Sequence, residues 1–369
     1  MENLYIFALL SIVGAYISVI ILIPKISWIV QSRNLIDQPN RRSSHKNSTP
    51  TMAGVSFFLT LIFMLNLIQV WDIDAIGINL IAAGGLMFAV GLKDDLVVSA
   101  PRAKIGGEIL AILFILFCNC LKVESLEGFL GIYEIPSFLS YGIIILMILT
   151  IINSYNLIDG IDGLASVIGI SIFGVYAFIF FAAELHFYFL LCLCLIGILL
   201  AYLRYNLSTT KKIFMGDTGS LIIGFCIGFL SLKFLSMDTS LLAEYAFKAE
   251  NKFVIIGAIF FIPLFDTLRV IGVRLIDKKS PFYPDNNHIH HILINSGLSH
   301  FKASLFLCFL NLGIAVTFIM LSLHFSSFEM LGIMMLYFIF FLGVFYKLKA
   351  NVGKKNQFKH LISAIQFFF

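Results

Sequence analysis

Charged side chains are scarce in this 369-residue chain: Asp, Glu, Lys and Arg make up 12% of it, against 60% hydrophobic residues with 39 Phe. A mean hydropathy of +0.98 lies far beyond that of a soluble domain, which excludes a water-solvated globule. Long hydrophilic stretches are also missing. Only the loops near 25–50 and 273–302 and a short basic tail after 346 are polar, so no attached soluble domain is expected. The six cysteines, at 118, 120, 192, 194, 226 and 308, all fall in apolar runs, which argues against a disulfide or metal framework and for small core hydrophobes. A net charge of +4 gives no reason to expect nucleic acid as a partner. The first apolar run has no basic segment before it and no small-residue cleavage site, so it reads as a retained helix rather than a signal peptide. Internal repeats and low-complexity linkers are absent as well.

What the chain does have is a series of eleven apolar runs, near 3–24, 51–70, 75–92, 103–121, 137–153, 163–183, 186–203, 214–236, 252–272, 303–324 and 328–346. Each suits a helix crossing a hydrocarbon core ~30 Å thick. The expected fold is therefore all-α, a polytopic bundle of 10–11 transmembrane helices forming one domain over 1–346, with a basic tail over 347–369 resting on anionic headgroups. Eleven spans divide the connections into two sets, and 21 of the 25 Lys and Arg fall in one of them. The other keeps only Lys122, Lys233, Lys248 and Lys252. The positive-inside rule makes the Lys- and Arg-rich side cytoplasmic and puts the N-terminus outside.

Polar clusters gather on that same side. Asn153, Asn156, Asp159 and Asp162 stand three apart in NSYNLIDGIDG, and helical spacing would align them as one stripe at a membrane boundary. Carboxylates in a membrane protein are costly unless they meet a cation, a donor or water, so they mark function by default. A helix–loop–helix with caps and Asx turns would explain the Asp-Gly pairs, but not the two asparagines upstream. GLKDDL brings Asp94 and Asp95, with Arg102 and Lys104 close behind. Adjacent carboxylates repel, which suits a metal ion or a proton acceptor, although pairing with Lys93 and Arg102 is a plain alternative. FMGDTGSL sets Asp217 between glycines at a helix start, either as an N-cap or as a ligand for a hard cation. PFYPDNNHIHHIL carries Asp285, His288, His290 and His291, with Arg269, Arg274, Lys278 and Lys279 upstream. With no cysteine on this face, Mg2+ suits the donors better than zinc, and the imidazoles and basic residues can serve a phosphate-rich ligand. LIDQPNRRSSHKN adds Asp37, Arg41, Arg42, His45 and Lys46, which positive-inside flanking explains equally well. Asp266 is explained by Arg269 one turn away, and Glu108 is assigned no role.

GLKDDL, NSYNLIDGIDGL, FMGDTGSL and SPFYPDNNHIHHIL, in this order across residues 35–300, resemble the polyprenyl-phosphate N-acetylhexosamine-1-phosphate transferase family. The resemblance implies a cytoplasmic site in a bacterial inner membrane, a UDP-N-acetylhexosamine donor, an undecaprenyl phosphate acceptor, Mg2+ with Mn2+ able to substitute, and release of UMP. It makes Asp217 the principal metal ligand and assigns Asp94 and Asp95 to the metal or the acceptor phosphate, with Asp94 a proton acceptor. It puts Asn156, Asp159 and Asp162 in donor binding with Asn153 beside them, and Asp162 near the nucleotide. His288, His290 and His291 would engage the donor's diphosphate or sugar, with Arg274 nearby, while Arg102 and Lys104 suit the lipid phosphate. The interrupted His run is similar to the subgroup that starts O-antigen, common-antigen or teichoic-acid chains, GlcNAc being the expected sugar, rather than to the phospho-MurNAc-pentapeptide transferases. Homodimers are common in the family, which leaves a dimer open here. The reading from another class, a proton-coupled transporter, calls for mid-span acids and inverted repeats, whereas these acids lie at span ends.

Overall fold

Hydrocarbon offers no partner to a backbone N–H or C=O, so apolar runs must close their hydrogen bonds within each segment as helices. The computed structural model describes residues 2–33, 36–37, 49–97, 99–118, 121–238, 247–280 and 287–366, side chains at 2, 36–37 and 351–366 excepted. Thirteen helices appear among them: α1 (Glu2–Ser32), α2 (Gly54–Ile68), α3 (Ile76–Leu96), α4 (Pro101–Leu116), α5 (Ser137–Ile158), α6 (Leu164–Ala182), α7 (His186–Asn206), α8 (Gly216–Ser236), α9 (Lys252–Ile259), α10 (Phe261–Ile276), α11 (Ile289–Asn295), α12 (His300–Leu321) and α13 (Ser327–Gln366). Two small antiparallel pairs, β1 (Ile36–Asp37) with β2 (Thr49–Pro50) and β3 (Ser125–Phe129) with β4 (Ile132–Glu134), complete the described structure. The protein is an all-α, multi-pass membrane protein.

All eleven apolar runs are helical, but they are not eleven equal spans. Among the described residues nine helices are long and apolar enough to cross a bilayer, and α9 with α10 makes a tenth, bent by 72°. The remaining run is α4, whose 16 residues reach only about 24 Å at 1.5 Å per residue. At the C-terminus α13 continues without a break past 346 as far as Gln366.

Helix α8 is the axis of the bundle, buried along its whole length and flanked by α2, α3 and α5. A helix apolar on every side belongs inside a bundle rather than against lipid. Its N-terminus therefore emerges, surrounded, where α2, α3 and α5 meet, and that is where Asp217 sits.

The bend between α9 and α10 has a local cause. Pro263 has no N–H, which deprives the Ile259 carbonyl of its helical partner four residues on. Asn311 of α12 fills the gap from the side: its Nδ2 donates to Ile259 O at 2.8 Å, and its Oδ1 accepts from Ile262 N at 3.0 Å. Asn311 is 1% exposed, so without the break its amide would be an unsatisfied polar group in the core.

Candidate active site

The α8 N-terminus is capped from another helix. Asp95 of α3 accepts from the backbone N–H of Asp217 at 2.7 Å, from that of Thr218 at 3.0 Å and from Thr218 Oγ1 at 2.5 Å. A carboxylate at orphan N–H groups meets both their hydrogen-bonding need and the positive end of the helix dipole. Of the two roles open to Asp217, the cap thus goes to Asp95. Gly216, at φ +72°, lets the chain turn into α8 with the Asp95 oxygens so near that a Cβ there would sit 2.8 Å from them. Asp95, expected from the sequence as a metal ligand, has both oxygens committed to this cap.

Asp217 is left facing a shared cavity. Its Oδ1 accepts from Lys104 Nζ at 2.9 Å and from Asn156 Nδ2 at 2.6 Å, while Lys104 also donates to Asp94 Oδ2 at 2.9 Å. Two of the sequence motifs therefore meet through one ammonium group, and the third joins them through Asp217. Asp94 is further held by Ser99 N at 2.7 Å. Asp217 keeps a side chain that is 34% exposed, the opening of the cluster.

The stripe expected over residues 153–162 is interrupted, because α5 ends at Ile158 and Asp159 is already out of helical geometry at φ −76°, ψ 45°. Asn153 lies one turn before Asn156 and donates to Glu108 Oε2 at 2.7 Å and to Leu149 O at 3.0 Å. Burial, with the carboxylates of Asp217, Asp162 and Asp95 around it, pushes the Asp159 carboxyl well above the usual carboxylate range. Asp162 turns the other way, toward Lys212 Nζ at 2.6 Å and His300 Nδ1 at 3.3 Å. Burial alone would raise its carboxyl, but His300 and Lys212 outweigh it and hold the group below the ordinary value. The turn is fixed by Asn206, whose Oδ1 accepts from Gly163 N at 2.6 Å, and by Ser304 donating to Asp162 O at 3.0 Å.

The His segment reaches the same cluster through Gly160. A Cβ on Gly160 would fall 2.4 Å from His290 Nε2, so only glycine admits the ring at this distance. His290 lies between His288, stacked at 5.5 Å, and His291 at 4.4 Å. Asp266, buried in α10, organises the group: it accepts from Arg269 at 3.0 Å and from Ile289 N at 3.0 Å, and pairs with His288 Nδ1 at 2.8 Å. Arg269 also donates to the Asn287 carbonyl. Arg274 is buried near the end of α10, and Arg102 is exposed at the start of α4, with no hydrogen bond or ion pair to the cluster among the described residues. Arg41, Arg42, His45, Lys46 and Asp285 lie outside the described residues.

Burial pulls the His290 imidazole down to about 3; the Asp266 carboxylate opposes this, and His291, His288 and His300 reinforce it. Below pH 6.5 an unfolded chain takes up a proton here that the folded protein refuses. Stability should therefore fall as pH drops from 6.5 toward 3, by about 1.4 kcal/mol per pH unit for this one group. Thermal unfolding in detergent from pH 7 to pH 4.5 should show the decline, and His290→Gln should flatten it. An unchanged slope in the variant would refute the assignment.

Sequence reasoning missed four residues. Asp266 was put down to its pairing with Arg269, although an acid inside a span was itself a signal. Glu108 stands four residues after Lys104, which was signal enough to place it on the same helix face. Lys212 and His300 carried none, since only tertiary structure brings them to Asp162.

The fold and the site together define a polytopic membrane enzyme. The chain belongs to glycosyl transferase family 4, whose profile matches residues 77–235, from α3 through α8. It is 33% identical over 310 residues, 82% of each chain, to the undecaprenyl-phosphate alpha-N-acetylglucosaminyl 1-phosphate transferase of Pasteurella multocida. It is 31% identical over 309 residues, again 82% of each, to the protein of the same name from Haemophilus influenzae. A probable undecaprenyl-phosphate N-acetylglucosaminyl 1-phosphate transferase of Bacillus subtilis is 29% identical over 296 residues, 79% of this chain and 78% of the relative.

Proposed function

We propose that this chain transfers N-acetylhexosamine 1-phosphate, most simply GlcNAc 1-phosphate, from a UDP-sugar to undecaprenyl phosphate and releases UMP. The observation that carries the reading is the contact of the motifs around Lys104, Asp94, Asn156 and Asp217, at the end of the bundle where the Lys- and Arg-rich loops gather. By the charge asymmetry of the loops that end faces the cytoplasm of a bacterial inner membrane. Names of the relatives support both the acceptor and the sugar.

The donor set suits a hard divalent cation. Asp94 and Asp217 offer carboxylate oxygens to one positive charge already seated between them, and Asp217 is partly open. Among the described residues no three His, Cys, Asp or Glu side chains form a complete metal cage. Mg2+, which keeps waters and binds through one or two carboxylates plus substrate phosphates, fits such a sparse set. Asp217 and Asp94 would hold Mg2+, or Mn2+ in its place, which when bound neutralises the diphosphate and the departing UMP.

The chain's own residues then have separate tasks. Asn156 fixes the Asp217 carboxylate, and Asp266 holds His288 by Nδ1, which leaves Nε2 for the donor's diphosphate. The neutral His290 can donate one hydrogen bond without adding charge. An acceptor phosphate with a second pKa near 6 is mostly ionised at neutral pH, so positioning by Arg102 and Lys104 matters more than an obligatory base. The acceptor's tail suits the apolar groove of about 320 Å³ lined by Leu146, Met147, Ile151, Phe253, Phe260 and Leu264, between α5 and the α9–α10 bend.

Purified protein should release UMP from UDP-GlcNAc only with both Mg2+ and undecaprenyl phosphate present. Release without the lipid, or none from any of UDP-GlcNAc, UDP-GalNAc and UDP-MurNAc-pentapeptide, would overturn the proposal; preference for the last would move the chain to the pentapeptide branch.

A further inference from the structure

Glu108 has a place in the site that no motif announces. It lies on α4 one turn beyond Lys104, is 0% exposed, and uses Oε2 to accept from Asn153 at 2.7 Å. Its other oxygen, Oε1, is sealed from solvent and has no hydrogen-bond partner among the described residues. A buried acceptor without a donor is costly, and a carboxylate oxygen more so than a neutral one. The cation that acts on Glu108 is Lys104, whose ammonium is engaged elsewhere, between Asp94 Oδ2 and Asp217 Oδ1 at 2.9 Å from each. Lys104 occupies the position that a divalent cation would seek, and the acceptor it leaves unserved is one helical turn away on the same face.

Resting on the transferase reading above, we infer that Lys104 is an exchangeable counter-ion: it neutralises Asp94 and Asp217 in the empty site and moves to Glu108 Oε1 when a divalent cation enters between them. No bond is made or broken, and the lysine remains charged throughout. Before entry Asp94, Asp217 and Glu108 carry three negative charges against one positive. After entry the cation's two charges complete the balance for these three carboxylates. Without Glu108 the displaced ammonium would have to stay beside the incoming cation or leave for water, and both weaken cation binding. Glu108 is thus a positioning residue, acting through Lys104 rather than on substrate.

The test is Mn2+ binding to the detergent-purified full chain without any substrate, followed by the electron paramagnetic resonance of free Mn2+. Glu108→Gln keeps an acceptor for Asn153 but removes the charge that receives Lys104, and should weaken Mn2+ binding about fivefold. Lys104→Met removes the competing cation and should tighten binding about tenfold. In the double variant the Glu108→Gln effect should vanish, because nothing remains to be displaced. Lys104→Gln serves in place of Lys104→Met if the latter does not purify as a monodisperse, cooperatively unfolding protein. An equal Glu108→Gln effect with and without Lys104 would mean a through-space potential only and would overturn the exchange, as would no effect at all or weaker binding in the Lys104 variant. Wild-type protein that releases UMP but binds no Mn2+ also overturns it and leaves the transferase reading standing. Wild-type protein that does neither overturns both.

Discussion

Asp217→Asn is expected to lower UMP release by about 10³-fold or more, in the range seen when one preorganised electrostatic contact to a reacting phosphate or oxyanion is removed. The substitution is nearly isosteric. An asparagine Oδ1 can still accept from Lys104 and Asn156, and the backbone N–H of residue 217 still reaches Asp95. Unfolding temperature and elution profile should therefore match the wild type, so the loss reads as missing charge and not as missing structure. Asp95→Asn should behave differently, because its carboxylate caps α8, and it should lose stability along with turnover. Full turnover by Asp217→Asn would remove this residue from the centre of the proposed site.

Gly91→Ala is expected to have a large effect on stability. A methyl group there would lie 2.5 Å from Thr218 Cα and 2.8 Å from Thr218 N, against backbone that cannot rotate aside. Overpacking of this kind costs about 1–3 kcal/mol. Separating α3 from α8 would also stretch the three Asp95 hydrogen bonds, and bonds to a charged group are each worth about 1.5–3 kcal/mol. The variant should unfold many degrees below wild type in detergent and release little UMP. Gly106→Ala is the matched control, since nothing lies within 4 Å of its Cβ position, and it should change neither property. Equal unfolding temperatures for the two variants would show that the α3–α8 contact is looser than described.

The helices were legible because lipid leaves the backbone no alternative, and each apolar run announced itself by length. How each run crosses was less legible: α4 has only 16 helical residues and α9–α10 is broken, and the cause of the break lies partly in Asn311, far along the chain. At the site, residue membership was easier to read than residue role. Asp94, Asp217, Asn156 and the His segment converge, as their shared side of the membrane implied. The division of labour between Asp95 and Asp217 was not readable, because a cap supplied by another helix leaves no local pattern. Asn153 and Asp162 show the same limit. Helical spacing put them on one stripe, but the helix ended at Ile158 and sent one inward to Glu108 and the other sideways to Lys212.

The amide of Asn311 meets both backbone groups freed at the elbow, which makes the elbow a bracket and not a hinge. One arm of that bracket lines the apolar groove at Phe253 and Phe260; the other carries Asp266, and through it the orientation of His288. If the acceptor lies in that groove as proposed, the reach from its tail to the imidazole set by the second arm is a fixed dimension of the scaffold.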